Sequence, residues 1–284
     1  MSAGTQTLSE SASKALLAGY GVPVVAERVV RTPAEAAAAA DDLGYPVVCK
    51  LGGDTIAHKT ERGLVRLDLD GPDAVVRAAT ELLAAARAED GPVHVLVAPM
   101  LDARRELIAG LATDPQFGMT VLVGVGGILA EAVADVAVRL VPIDRTDAHD
   151  MIDQLQTQAI LGPFRGEPAV DRDAIADVLL ALSAAAQNES LVSADCNPLL
   201  VVDGRPIAVD ALVERQAGCA PRPRPGPVAI SNPCSSPGAS WSRAHRPNRA
   251  SSASCASTTS SPAATRERST PSIGTAPPSS TCRR

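Results

Sequence analysis

Four histidines and three lysines (Lys14, Lys50 and Lys59) are all that this 284-residue chain carries of those types. Lys50 stands just before the loop GGDTIAHKTERG, in which His58 and Lys59 stand side by side after Gly52 and Gly53. A neutral imidazole is nucleophilic near pH 7 and can accept a phosphoryl group. A neighbouring ammonium can neutralise phosphate charge, and electrostatic stabilisation dominates phosphoryl transfer. The plainer reading is a loop histidine that only orients phosphate.

Lys50 ends the apolar run YPVVCKL. Lysine is a poor filler there, because its charge must reach water or a partner. Before Arg215 nearly every other cation is Arg, and the compact lysine ammonium suits a phosphate. A snorkelling side chain at a strand end is the alternative. The run GVGG (Gly124 to Gly127) could bring backbone N–H groups, at Gly126 and Gly127 above all, against an anion. Glycines there can also simply turn the chain.

The stretch DCNPLL is sharper. Asp195 and Asn197 sit two apart and share one face of a strand. Asp210 lies in a second apolar run, IAVDAL. Pairing of the two runs across Asp203-Gly204 would set Asn197 opposite Asp210. Mg²⁺ takes oxygen ligands, typically one or two carboxylates plus substrate phosphates. A surface hairpin with solvated polar residues is the competing reading.

These residues need elements to hold them. Ser9 to Gly21 reads as a helix with Glu10 and Lys14 spaced i, i+4. Val22 to Val30 reads as a strand. TPAEAAAAADDLG is a helix with Thr32 at the N-cap, Pro33 at N1 and Gly44 at its end. YPVVCKL and LVRLDLD are strands, and Asp73 to Glu89 is an alanine-rich helix. VHVLVAPML, RELIAGLAT, GMTVLVGVGG and DVAVRLVPI are further strands. Helices follow at Ala148 to Gln158 and Asp171 to Gln187. A hairpin turning at Asp203-Gly204 closes the series. Helices and strands alternate first and antiparallel strands dominate later, which predicts an α+β (mixed α/β) body of two lobes.

Composition divides the chain near Arg215. From there to Arg284 it holds ten Arg, no Lys and one acid, Glu267, while the rest is strongly acidic. An acidic body argues against nucleic acid, whose phosphates need clustered Lys and Arg. No apolar run approaches the roughly 20 residues that span a bilayer. No signal-peptide pattern opens the chain, so a cytoplasmic location is expected. Cys49 and Cys196 show no metal-site spacing. Residues 215–284 are rich in Pro, Ser, Ala, Arg and Thr, and read as a disordered tail. Back-translated and read one nucleotide earlier, parts of that tail permit the strand-and-glycine-turn pattern of a CoA-binding domain. A frameshifted second domain is therefore one expectation.

The segments SKALLAGYGVPV, AAADDLGYPVVCK, IAHKTERGLVRL, GVGGILAEAVADVAVRLVP, ILGPFRGEPAVD and DCNPLLVVDG together resemble one family. It is the ATP-grasp, β-subunit-like part of NDP-forming acyl-CoA synthetases, the ADP-forming acid–CoA ligases related to succinyl-CoA synthetase. The resemblance covers Leu8 to Glu214. It implies a two-lobed ATP-grasp domain over 1–214, with lobes of roughly 1–98 and 99–214 and ATP between them. It also implies a ligase interconverting acyl-CoA, ADP and phosphate with acid, CoA and ATP through a phosphohistidine.

By position, Lys50 would contact phosphates, and the Val97 to Met100 segment (Val97, Ala98 and Met100) would supply adenine-hinge backbone. Glu106 would lie near the nucleotide, with Gly126 and Gly127 at the anion-approaching turn. Asn197 and Asp210 would hold Mg²⁺, and His58 with Lys59 would move phosphate. Ala98 and Pro99 depart from the polar or acidic residues usual at the hinge, and proline has no N–H. The main phosphohistidine, the CoA site and the small carboxylic acid would belong to a partner subunit or domain. Two other classes stay open: a carboxylate–amine ATP-grasp ligase, and a non-catalytic module of a regulatory acetyltransferase-type protein.

Overall fold

The short strand YPVVCKL and its neighbours pair into a small antiparallel sheet, in a computed structural model that describes residues 4–53, 56, 62–127, 134–163 and 166–217. The strands are β2 (Arg28–Val30), β3 (Val47–Gly53), β4 (Val65–Leu69) and β5 (Val93–Pro99), in the order β2-β5-β3-β4. On β3 the alternate residues Val47, Cys49 and Leu51 are fully buried, beneath helices α2 (Pro33–Leu43) and α3 (Pro72–Ala84). Helix α2 starts where the sequence says it must. Thr32 and Glu35 form a reciprocal capping box, Pro33 follows, and Gly44 ends the helix at φ +85°. Its buried face is Ala36, Ala39 and Ala40, so small side chains stand in for the missing aromatics.

The larger sheet is also antiparallel. Its order is β1 (Thr5–Thr7), β11 (Leu212–Gln216), β9 (Leu191–Val202), β6 (Glu106–Asp114), β7 (Gly118–Val125) and β8 (Val136–Leu140), with β10 (Arg205–Ala208) also on β9. Helices α1 (Glu10–Ala18), α4 (Arg145–Gln154) and α5 (Arg172–Asn188) complete the body. Leu107, Val123, Met151, Ile152, Leu179 and Leu182 are at most 1% exposed and form the heart of this core. Among the described residues no helix is long and apolar enough to cross a membrane.

The hairpin at Asp203-Gly204 forms, with both residues at positive φ (49° and 81°). Its register pairs Ala208 with Leu199 and, beyond a short break, Leu212 with Asp195. Counting on between those pairs sets Asp210 opposite Asn197.

Five expected boundaries differ. Of Val22 to Val30, only the last three residues are strand. The preceding part crosses from the large body to the small sheet, tied to Ala208 through Val25 N–H, the Pro23 carbonyl and a parallel bridge at Val24. The helix expected to reach Glu89 stops at Ala84 and resumes as a 3₁₀ turn over Ala88–Asp90. The expected Ala148–Gln158 helix is α4 followed by a separate 3₁₀ turn, Gln158–Ile160. The lobes do not divide at residue 98 alone, since β1 pairs with β11 and Leu17 of α1 packs in the larger core. Order also continues past Glu214, because Arg215 and Gln216 are paired in β11 with Gln6 and Thr5. Residues 218–284 lie outside the described residues.

Strands β6 and β9 approach closely where Gly110 faces Asp195. A Cβ on Gly110 would stand 2.6 Å from the Ala194 carbonyl oxygen. Gly110→Ala is expected to cost about 1–3 kcal/mol of unfolding free energy by urea denaturation, as overpacked sites do. Gly71→Ala, where a Cβ meets open space, is the control.

Candidate active site

Because side chains alternate on β3, the face opposite the small core carries Val48 and Lys50. That face is one wall of a cavity of about 140 Å³ between the two sheets. Ala98, Pro99, Met100 and Leu101 extend the wall, Leu200 and Val209 come from the larger sheet side, and Val25 from the crossing segment. Apart from Lys50 the lining is apolar.

Lys50 is not alone at its end. Its ammonium donates to Glu10 Oε1 at 2.9 Å and to the Val209 carbonyl at 3.1 Å, and lies 3.6 Å from Asp210 Oδ2. Lys14 donates to the same Glu10 oxygen at 2.8 Å, and to Glu27. The side chains of Glu10 and Lys14 are only 2% and 3% exposed. Burial pulls the Lys50 pKa down, but Glu10 and Asp210 more than offset it and the net shift is upward. Lys50 is therefore a held cation, not a solvated one.

Strand β9 brings Asp195 and Asn197 to the same place. Burial and the like-charged Asp210 raise the Asp195 carboxyl, and a hydrogen bond from Asn197 partly opposes this. The raised shift exists although the residue is open to solvent on one side. Two carboxylates and an amide thus gather within reach of the Lys50 ammonium. Among the described residues no cluster of three or more His, Cys, Asp or Glu could hold a metal by itself. This donor set fits Mg²⁺, which keeps waters and completes its shell with phosphate oxygens.

Glu106 opens β6, fixed by its neighbour. Arg105 is 1% exposed and donates to Glu167 and to the carbonyls of Ile160, Gly162 and Pro168. Gly126 N–H donates to the Glu106 carbonyl at 2.8 Å, and a Cβ on Gly127 would meet the Glu106 carboxylate at 3.6 Å. The glycine turn and Glu106 thus form one corner, and Leu200, paired with Glu106, connects it to the cavity.

The expected hinge is reshaped. Ala98 and Met100 line the cavity, but Val97 is fully buried in the small core with strand partners on both sides. The Met100 N–H is already bound to the Pro46 carbonyl at 2.9 Å. Neither Pro99 nor Met100 therefore offers an open donor.

His58 and Lys59 lie outside the described residues. The residue after their loop is anchored: Arg62 makes a two-pronged pair with the buried Asp90 at 2.7 and 2.8 Å. That pairing holds the Asp90 carboxyl down at about 2. His94 packs against Gly52, and His149 sits on the surface beside Asp173. Cys49 and Cys196 are buried, and burial pushes their thiols up to about 11 and 12, which removes thiolate chemistry from consideration.

Sequence reasoning missed Glu10, Lys14 and Glu27 as members of the site. The i, i+4 spacing of Glu10 and Lys14 was visible, but such a pair is ordinarily a solvated one. The scarcity of lysine was the only further signal.

Comparison with known proteins shows the family. The model of the ATP-grasp domain family matches residues 1–214. The chain is 36% identical over 203 residues to the acetate–CoA ligase [ADP-forming] II subunit beta of Pyrococcus furiosus, covering 70% of this chain and 86% of that one. Among solved structures it resembles acetyl-coenzyme A synthetase 1 of Ca. Korarchaeum cryptofilum in complex with coenzyme A and Ca-AMPCP. There the TM-score is 0.69 at 31% identity, over 74% of this chain and 93% of that chain. A second structure of that enzyme, with Mg-AMPPCP and a phosphohistidine segment pointing towards the nucleotide binding site, gives 0.64 at 32% identity with the same coverage.

The raised Asp195 carboxyl sets a pH dependence. Protonation begins at a higher pH than the ordinary 3.8, and a protonated carboxyl does not bind Mg²⁺. Mg²⁺ affinity of the chain, followed by calorimetry, is expected to fall as pH drops while ordinary carboxylates are still ionised. Asp195→Asn should shift that fall to lower pH.

Proposed function

Because the chain belongs to the ATP-grasp family, we propose that it is the ATP-binding module of an ADP-forming acid–CoA ligase, working with a partner that carries the CoA-binding and ligase region. The observation that carries this reading is the approach of Lys50, in the wall of an apolar crevice, to Asp210, which in turn lies close to Asp195 and its partner Asn197.

Each residue has a role in that reading. The crevice walls at Val48, Ala98 and Met100 take the base by shape. Lys50 holds phosphate oxygens as a point charge. Asn197 and Asp210, with Asp195 beside them, hold Mg²⁺, which neutralises charge on the phosphates. The corner formed by Glu106, Gly126 and Gly127 bounds the site. His58 accepts the terminal phosphoryl group: its ring nitrogen forms the N–P bond as the bond to the ADP oxygen breaks, and Lys59 balances charge. The partner then receives the phosphoryl group on its own histidine and joins a small carboxylic acid to CoA.

Calorimetric titration of ATP with and without Mg²⁺ tests the binding. The parent chain is expected to bind ATP in a Mg²⁺-dependent way. Lys50→Met should weaken binding about tenfold or more, the scale of a lost hydrogen bond to a charged group. Asn197→Ala with Asp210→Ala should abolish the Mg²⁺ dependence. Incubation with γ-labelled ATP should leave acid-labile label that is absent in His58→Ala. A parent chain with no affinity for Mg²⁺-ATP would sink the proposal.

A further inference from the structure

We propose that Glu10 is the positioning residue that aims Lys50 into the crevice, with Lys14 and Glu27 holding Glu10 in place. The inference rests on the reading that Lys50 contacts phosphate, and concerns what sets Lys50 there.

The geometry is specific. One oxygen, Glu10 Oε1, accepts from Lys14 at 2.8 Å and from Lys50 at 2.9 Å. The Val209 carbonyl is shared in the same way, at 3.5 and 3.1 Å. Lys50 is nearer to Glu10 than to Asp210, which stands 3.6 Å away. Without Glu10, Lys50 would keep only the Asp210 carboxylate and the Val209 carbonyl, and its ammonium would lose its closest anchor. Glu10 thus takes the shorter bond from Lys50, which bridges it to the Asp210 carboxylate.

An ordinary helical Glu–Lys pair does not explain these residues. Such pairs sit in water and tie together residues of one helix only. Here both partners are nearly sealed from solvent, and the third partner arrives from β3 in the other sheet. Glu10 also occupies the first turn of α1, where the helix dipole favours an anion. Lys14 then balances a carboxylate that already serves Lys50, and Glu27 on the crossing segment balances Lys14.

The test uses the full chain with Glu10→Gln, Glu10→Asp and Lys50→Met. Acylation of lysine amines by a water-soluble N-hydroxysuccinimide ester, read peptide by peptide by mass spectrometry, reports how firmly Lys50 is held without nucleotide. ATP affinity with Mg²⁺ is measured on the same samples by calorimetry. Glu10→Gln is expected to acylate faster at Lys50 and to bind ATP about tenfold more weakly, one charged hydrogen bond's worth. Glu10→Asp should fall between parent and Gln in both readouts, and serves as the folded comparison if circular dichroism shows Glu10→Gln unfolded. Unchanged Lys50 acylation in the Glu10 variants overturns the proposal. So does faster acylation with unchanged ATP affinity, provided Lys50→Met weakens ATP binding. If Lys50→Met binds ATP like the parent, the phosphate role of Lys50 falls, and the aiming role proposed for Glu10 falls with it. The acylation rates then still report whether Glu10 holds Lys50.

Discussion

One buried carboxylate oxygen accepting from two ammonium groups is the interaction on which the arrangement of this molecule turns. Glu10 belongs to a helix packed in the larger core, Lys50 to the central strand of the smaller sheet, and Val209 and Asp210 to the link between β10 and β11. The cluster therefore joins elements that share no sheet. Removing one member of a buried ion pair typically costs about 3–5 kcal/mol, against at most about 1 for an exposed pair. By comparison the surface pair of Arg66 and Glu81 counts for little. The charges sit where the two sheets must meet, so the crevice between them has a fixed polar end.

The other end of the crevice is apolar, and its backbone is occupied. Pro99 has no N–H, and the N–H of Met100 is committed to Pro46. The site is thus divided by chemistry: charge gathers at Lys50, Asp195, Asn197 and Asp210, while Val25, Val48 and Met100 offer surface without polarity. This division suits a nucleotide, whose two ends differ in the same way. It also fits the ATP-grasp family to which the chain belongs, in which the chain resembles subunits and structures of ADP-forming ligases.

Much of this was legible from residue types. The N-cap at Thr32, the turn at Asp203-Gly204 and the opposition of Asn197 to Asp210 all follow from local rules that tertiary structure had no reason to override. Lys50 could be singled out because a charge in an apolar run needs a partner. Its partner could not be named, because Glu10 is 40 residues away and nothing in a helical i, i+4 pair indicates burial. The run Val22 to Val30 misled for a related reason. Apolar β-branched residues read as one strand, but the chain there spends its first half crossing between sheets, where Val22 and Val25 are buried without a ladder. Along the expected hinge the strand alternates, so the Val97 side chain enters the small core while Ala98 lines the crevice.

The pairing of β9 with β10 and then β11 keeps one count along its length, from Arg205 opposite Val202 to Glu214 opposite Ser193. The two runs thus behave as the arms of one long hairpin with a gap in its ladder, and the site sits in that gap. For a chain under mutation this makes length the guarded quantity. Exchanging one side chain between Ser193 and Glu214 alters a single pair. Inserting or deleting one residue on one arm reverses the facing of what lies beyond it, turning buried Ala194 and Cys196 toward water and Asp195 and Asn197 into the core. The pairs on either side of the gap form together only while the two arms keep step.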